Sequence, residues 1–497
     1  MYLSHAFNGR GSSSNQGGRQ ASHSRSCRCG CVSAVAHWAY RRMAADLTQR
    51  AASGGSAASA APFLSFRADS AFSDSPRLSQ RPIVLTKLRL FDGISATLQD
   101  GMNIRIAGDR VQAIVPAGAT LGDDVEIIDC GGRVVMPGLI DAHWHSTLCG
   151  VSQMEAMMAD VAYLHLVAAR EAQNTLMRGF TTVRDAGGPS FALKRAIDEG
   201  VVFGPRIFPS GAMISQTSGH GDFRMRYDIT ENAGLPSHGE RAGMSVLADG
   251  ADAVLRRARE QLMLGATQLK MMAGGGVTSV YDPLESLQFT EAELRAGVAA
   301  ARDWGTYVMV HVYTAAGIER AIQAGVRSIE HGQLTDEKTA RLMADNGVWW
   351  SLQPFLGDED ANPHADPRSH AKQVMVAQGT VRAYEFAQHL KVNTAWGTDI
   401  LFSPSTLPRH GHMLAKMTRF YAPLEALRIA TGQNGELIGL SGDRNSYPGR
   451  VGVLAQDAMA DLLVVDGDPA TSLDFLTQPE QSLRLIMKDG KIYKSSL

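Results

Sequence analysis

Cysteine is scarce in this 497-residue chain, which has only five. Cys27, Cys29 and Cys31 alternate in a short arginine-rich stretch, whereas Cys130 and Cys149 stand far away in apolar surroundings. That distribution does not form the disulfide framework of a small secreted domain. It also argues against a closed zinc site at the first three, which needs a fourth ligand and has only His23 nearby. Long apolar runs are missing as well. None reaches the roughly 18 residues of a membrane-spanning helix. Neither charge dominates, with 48 Lys and Arg against 50 Asp and Glu and a formal net charge of -2. The chain therefore has no general pull toward nucleic acid or anionic membrane. The expected partner is a small molecule, with no nucleic acid and no membrane.

What is present reads as a globular protein. Hydrophobic residues make up 44% and charged residues 20%, close to ordinary soluble domains. The length suits roughly two to four domains, or one large barrel with an accessory domain. Residues 1–80 are rich in Ser, Gly, Ala and Arg without sustained apolar periodicity, and are expected to lie outside the fold as a disordered or targeting extension. The apolar centre within Arg25 to Arg42 is shorter than the about 7 to 15 residues of a secretory signal. With no spanning segment either, a cytoplasmic location is the expectation.

From Pro82 the texture changes. Ile83-Val-Leu-Thr-Lys-Leu-Arg-Leu-Phe-Asp-Gly and Met102-Asn-Ile-Arg-Ile-Ala-Gly-Asp read as short strands joined by Asp/Gly turns, and Ala460-Asp-Leu-Leu-Val-Val-Asp-Gly and Leu483-Arg-Leu-Ile-Met-Lys-Asp-Gly repeat the pattern near the other end. Residues 81–136 and 443–497 are expected to pair into one β-sandwich. Between them, residues 137–442 alternate short β-type runs with longer helical ones. Eight strands are counted, centred on Asp141-Ala-His, Thr181-Thr-Val-Arg, Arg206-Ile-Phe-Pro-Ser, Gln268-Leu-Lys, Tyr307-Val-Met-Val-His, Ser328-Ile-Glu-His, Val348-Trp-Trp-Ser and Thr394-Ala-Trp-Gly-Thr-Asp. That number over about 300 residues suits an α/β (β/α)8 TIM barrel, whose reactive groups sit at the C-terminal strand ends.

Met136-Pro-Gly-Leu-Ile-Asp-Ala-His-Trp-His closes the first of these strands. Side chains alternate across a strand, so His143 and His145 share one side and can bind one metal, while Trp144 faces the helices. A His-x-His alone is weak evidence, since histidines are often satisfied core residues. Four more metal-compatible residues fall at later strand ends: Lys270 on the fourth, His311 on the fifth, His331 on the sixth and Asp399 on the eighth. Singly, each has a bland explanation, a buried histidine or a helix cap. Together they point to a metal centre. A protonated lysine has no lone pair and repels a cation, but a carbamate formed with CO2 on Lys270 is an anionic two-oxygen group that can bridge two metals.

These residues, with Gln216-Thr-Ser-Gly-His-Gly-Asp, Lys270-Met-Met-Ala-Gly-Gly-Gly-Val and Ile329-Glu-His-Gly, give a chain that resembles the amidohydrolase superfamily in its binuclear, carboxylated-lysine form. It is most similar to the imidazolonepropionase-like branch with its Xaa-Pro dipeptidases and ochratoxin-hydrolysing amidohydrolases. The resemblance implies that His143, His145 and Asp399 hold one ion and His311 and His331 the other, with carboxylated Lys270 and a hydroxide bridging both. It implies two divalent ions, zinc first, although such ligands also suit Mn, Co or Ni. It further implies a homo-oligomer.

The expected reaction is amide hydrolysis of a dipeptide or N-acyl amino acid, carboxypeptidase- or prolidase-like and including ochratoxin-type substrates. A metal-activated hydroxide attacks, and Asp399 passes its proton to the leaving amine. Tyr313, two residues beyond His311 on the same side, is a candidate to hydrogen-bond a substrate carboxylate or the oxyanion. His220, flanked by glycines in the loop after the third strand, is a second substrate contact. Gly274-Gly-Gly276 lacks the phosphate-loop pattern and reads as room for substrate or a tight turn. Trp349 and Trp350 line an acyl pocket or belong to the core. Two alternatives stay open. One is hydrolysis of a cyclic amide or lactone, or a deamination, against which Lys270 argues. The other is a binding scaffold without catalysis, against which the complete ligand set argues.

Overall fold

The computed structural model describes residues 76–497 except 121, 232–234, 280 and 362–363. The extension expected before residue 76, with Cys27, Cys29, Cys31 and His23, lies outside the described residues. No helix among them is long and apolar enough to cross a membrane.

All eight expected central strands are present as parallel strands, labelled β1 (Leu139–Trp144), β2 (Phe180–Asp185), β3 (Arg206–Phe208), β4 (Leu269–Met272), β5 (Val308–Thr314), β6 (Ser328–Leu334), β7 (Trp349–Leu352) and β8 (Thr394–Trp396). Their burial is nearly complete, as for strands covered on both faces. Helices fill the connections, among them Val161–Met177, Ala251–Leu264, Glu291–Asp303 and Pro367–His389. Local chemistry sets their ends. Thr290 and Glu293 form a capping box, and Gly265 and Gly325 close the helices before them in the left-handed conformation.

Hydrogen bonding does not join all eight strands into one closed ring. The strands make two parallel ladders, β1-β2-β3 and a seven-stranded sheet in which Ser245–Leu247 and Met213–Ser215 precede β4 to β8. The chain breaks between β3 and Met213 because Pro209 has no N–H to give a ladder and Gly211 turns at φ 72°. Side chains take over at the gap: Gln268 Nε2 donates to the Phe208 carbonyl at 2.8 Å, and Gln261 Oε1 accepts from the Ala212 N–H at 2.9 Å. A second seam runs between β8 and β1. There the Asn434 amide donates to the carbonyls of Ile140 and Trp396, both at 2.8 Å, and accepts from the Trp396 N–H at 3.0 Å. One buried side chain thus substitutes for a ladder.

The two ends of the described chain also meet, joined in one hydrogen-bonded sheet. Nine strands contribute, in the order Arg77–Leu78, Lys491–Ser495, Leu483–Lys488, Leu462–Val465, Val134–Pro137, Ile83–Phe91, Leu98–Ala107 and Arg110–Pro116, with Glu126–Asp129 paired beside Ile83–Phe91. Val134–Pro137 joins the halves, because it runs antiparallel to Leu462–Val465 and parallel to Ile83–Phe91. The uninterrupted apolar run of Leu462–Val465 follows from burial on both faces. Leu462 and Val464 pack with Ile83, Leu85 and Ile104, whereas Leu463 and Val465 join the cluster around Leu139 and Phe180. Arg206 of β3, buried, ties this sheet to the parallel strands through Asp461 and Asp489.

Candidate active site

The side chains singled out from sequence are brought to one cavity at the C-terminal ends of the parallel strands. His143 lies at the end of β1 and His145 one residue beyond it. Alternation sends both rings into the cavity while Trp144 turns away and stacks on His410 at 4.5 Å. Asp399, three residues past β8, sets Oδ1 3.3 Å from His143 Nε2 and 3.2 Å from His145 Nε2. Lys270 Nζ lies 3.4 Å from His143 Nε2. The ring of His331 is 4.9 Å from that of His143 and 4.4 Å from that of His311.

Strict alternation would turn His331 away from Glu330, yet both face inward. His331 has φ 76°, which breaks the pleat there, and Asp399 has φ 54°. Two non-glycine residues in the left-handed region, both in the same cluster, mark the strain that collects at functional sites. Gly397 explains how β8 reaches β1 so closely, because a Cβ there would stand 2.4 Å from the His143 backbone nitrogen.

Every histidine of the cluster has one ring nitrogen engaged by a protein acceptor. Nδ1 of His143 meets Glu330 Oε2, Nδ1 of His145 the Gly187 carbonyl and Nδ1 of His331 Gln353 Oε1, each at 2.8 Å. Nε2 of His311 meets the Gly275 carbonyl at 3.2 Å. Acceptors take the N–H, so the opposite nitrogen of each ring keeps its lone pair, which is the arrangement metal ligands require. Burial lowers the pKa of His143, His311 and His331 and holds the rings neutral. For Asp399 burial acts upward, but His143, His145 and His331 outweigh it and keep the carboxylate ionised. Burial brings Lys270 down to about 8. The donor set therefore fits a divalent metal, and nitrogen and oxygen atoms of His143, His145 and Asp399 lie within 4.8 Å of one another.

Sequence reading missed what stands behind His143. Glu330, fully buried, accepts from Arg184 Nη2 at 2.8 and 2.7 Å and from Ser328 Oγ at 2.6 Å. Arg184 also donates to the Ala142 carbonyl at 2.6 Å and to Tyr307 at 3.3 Å. Its signal was an arginine inside an otherwise buried strand, Thr181-Thr-Val-Arg. Gln353 was equally unmarked.

Above the cluster, Tyr313 and His220 line the cavity. The Tyr313 ring centroid is 5.1 Å from those of His311 and His331, and burial keeps the phenol protonated. His220 stacks on His311 at 4.1 Å. Phe223, Met213, Met272, Phe355, Leu356 and Val376 make an apolar wall, while Asp360 and Lys416 lie on its polar side. The two tryptophans are core and not acyl pocket: Trp350 is fully buried and donates to the His331 carbonyl at 2.6 Å, and Trp349 packs with Tyr307 and Met309. Gly274-Gly-Gly276 is a place of close approach, with a Cβ at Gly276 falling 1.9 Å from the His220 ring.

Residues 134–493 match the amidohydrolase family. The chain belongs to that family. This amidohydrolase is 29% identical to ochratoxinase of Aspergillus niger over 377 residues, 73% of this chain and 76% of that one. A prolidase solved with N-methylphosphonate-L-proline is 33% identical with a TM-score of 0.77, the match covering 84% of this chain and all of that one (100%). A Xaa-Pro dipeptidase with methionine bound in its active site is 27% identical with a TM-score of 0.72, covering 83% and 100%.

Proposed function

We propose that this amidohydrolase cleaves the amide bond of a dipeptide or an N-acyl amino acid in a reaction dependent on two divalent cations, zinc foremost. The observation that carries the reading is the convergence of four imidazoles, each with its outer nitrogen engaged, on an ionised Asp399 and a buried Lys270. His143, His145 and Asp399 would hold one ion and His311 and His331 the other, with Lys270 as a carbamate serving both. Bound there, divalent cations supply Lewis acidity that lowers the pKa of water toward neutrality and polarises a carbonyl oxygen. The two ladders are taken together as a (β/α)8 barrel, with the terminal sheet as its accessory domain.

The chain's own groups then divide the work. The Asp399 carboxylate accepts a proton from the attacking water and returns it to the leaving nitrogen. Tyr313, as a protonated phenol, donates to the substrate carbonyl or carboxylate. The wall formed by Phe223, Phe355 and Val376 takes an apolar acyl group or side chain and keeps bulk water from the reacting atoms. The names of the relatives, ochratoxinase, prolidase and Xaa-Pro dipeptidase, support an amide whose amine side is an amino acid.

Metal-reconstituted protein assayed on N-acyl amino acids, dipeptides and cyclic amides tests this. Turnover of linear amides with an apolar acyl side, and two metal ions per chain by elemental analysis, are expected. Turnover confined to cyclic amides or lactones would overturn the substrate assignment.

A further inference from the structure

His220 needs a fixed orientation, and its own loop gives it little. It lies between Gly219 and Gly221, after Ser218 at φ 60°. Its backbone N–H donates to Gln288 Oε1 at 2.8 Å, but the ring is set by other contacts. It lies flat on His311, with an angle of 24° between the planes, over the open face of Gly276. Nδ1 stands 2.7 Å from Ser279 Oγ, with Asp282 Oδ2 behind at 3.8 Å. Nε2 has no hydrogen bond to protein among the described residues, and the ring borders the cavity.

Ser279 belongs to the loop that follows three consecutive glycines, a stretch with the widest backbone freedom. Lys372, on the helix Pro367–His389 from the β7 side, removes that freedom. Its Nζ donates to the carbonyls of Gly276 at 2.9 Å, Ser279 at 3.1 Å and Asp282 at 2.6 Å. An ammonium has three N–H groups, and each finds an acceptor on this one loop.

We propose that Ser279 and Lys372 are positioning residues for turnover: Lys372 fixes the loop, Ser279 anchors Nδ1 of His220, and Nε2 of His220 is thereby aimed at the substrate. This rests on the amidohydrolase reading above and adds residues that the ligand pattern does not contain. Neither touches the metal ligands' nitrogens. Their influence passes through His220, so it depends on His220 being present.

A double-mutant cycle reads that dependence. Ser279→Ala is expected to lower kcat on the order of 10- to 100-fold, the cost of misplacing a reacting group by about an ångström. Metal content and thermal midpoint stay unchanged, and Ser279→Thr, which keeps the hydroxyl, recovers most of the loss. In a His220→Ala background, Ser279→Ala has no further effect. Lys372→Met lowers kcat likewise and raises hydrogen exchange of residues 276–282, a readout independent of activity. The proposal is overturned if Ser279→Ala stays within about twofold of wild type, if its effect multiplies with that of His220→Ala, or if Lys372→Met leaves exchange in the loop unaltered. Should the chain turn over a cyclic amide or lactone in place of a linear amide, the same ratios are read on that substrate, so the two readings fail separately.

Discussion

Replacing Arg184 with methionine removes, among the described residues, the only cationic side chain hydrogen-bonded to Glu330. Both carboxylate oxygens accept from Nη2, at 2.8 and 2.7 Å, and neither Arg184 nor Glu330 is exposed. Breaking a buried pair from one side costs about 3–5 kcal/mol, because the remaining charge stays desolvated. The pH dependence sharpens the test. In the native chain burial pushes Glu330 upward, but Arg184 and His143 outweigh it and hold the carboxyl well below its ordinary value. A depressed carboxylate contributes stability that is complete above the unfolded pKa, about 4.3, and lost as the pH falls through the folded pKa. Without Arg184 burial dominates, the folded pKa rises, and acidification toward pH 5 stabilises the variant relative to neutrality. Thermal melts of metal-free protein between pH 4 and 8 measure this. Arg184→Met combined with Glu330→Leu is expected to regain most of the stability, as apolar replacements of buried pairs do. It still loses roughly 10–100-fold in metal affinity, since His143 has lost its outer partner. An Arg184→Met protein with an unmoved midpoint and an unchanged pH profile would refute the reasoning.

Other perturbations separate the remaining roles. Lys270→Ala is expected to lower bound metal below two ions per chain and to abolish turnover, and full metal content with full activity would dismiss the bridging role. A carbamate forms from the neutral amine, and burial brings Lys270 to about 8. Reconstitution of stripped protein with metal and bicarbonate should therefore be faster at pH 8 than at pH 6, where only about 1% of such an amine is neutral. Asp399→Asn removes the proton acceptor and is expected to cost about 10²- to 10⁴-fold in kcat, with a flattened acid limb of the rate profile. Gly397→Ala drives a methyl into the His143 backbone, 2.4 Å away. It should lose about 1–3 kcal/mol of stability and part of the metal content, checked by melting and elemental analysis.

The residues of the cluster were legible because each carries its own chemistry and each falls at the end of a β-type run. Periodicity alone placed all eight strands, and the His-x-His spacing placed two rings on one side. Less legible was how the two ladders adjoin. Pro209 and Gly211 are visible breakers, but that Gln268 and Gln261 would bridge the gap depends on contacts across tens of residues. Asn434 at the other seam is 294 residues from Ile140 in sequence. Glu330 was in view beside His331, yet its function depends on φ at the next residue and on Arg184, neither of which a pattern of polar and apolar letters encodes. The terminal strands were recognisable as β texture at both ends. That they join in one hydrogen-bonded sheet depends on Val134–Pro137, whose two edges each find a partner.

That joining strand has a consequence for how the chain is made. Strands between residues 77 and 137 leave the ribosome first, yet Val134–Pro137 keeps one edge open until Leu462–Val465 arrives, more than 300 residues later. For that interval the nascent chain carries an unfinished apolar sheet, the kind of exposed edge on which aggregation starts. Synthesis of the last few tens of residues is thus the step that seals the first sheet. A chain stopped short of residue 462 leaves its N-terminal strands without their partner, however complete its parallel strands.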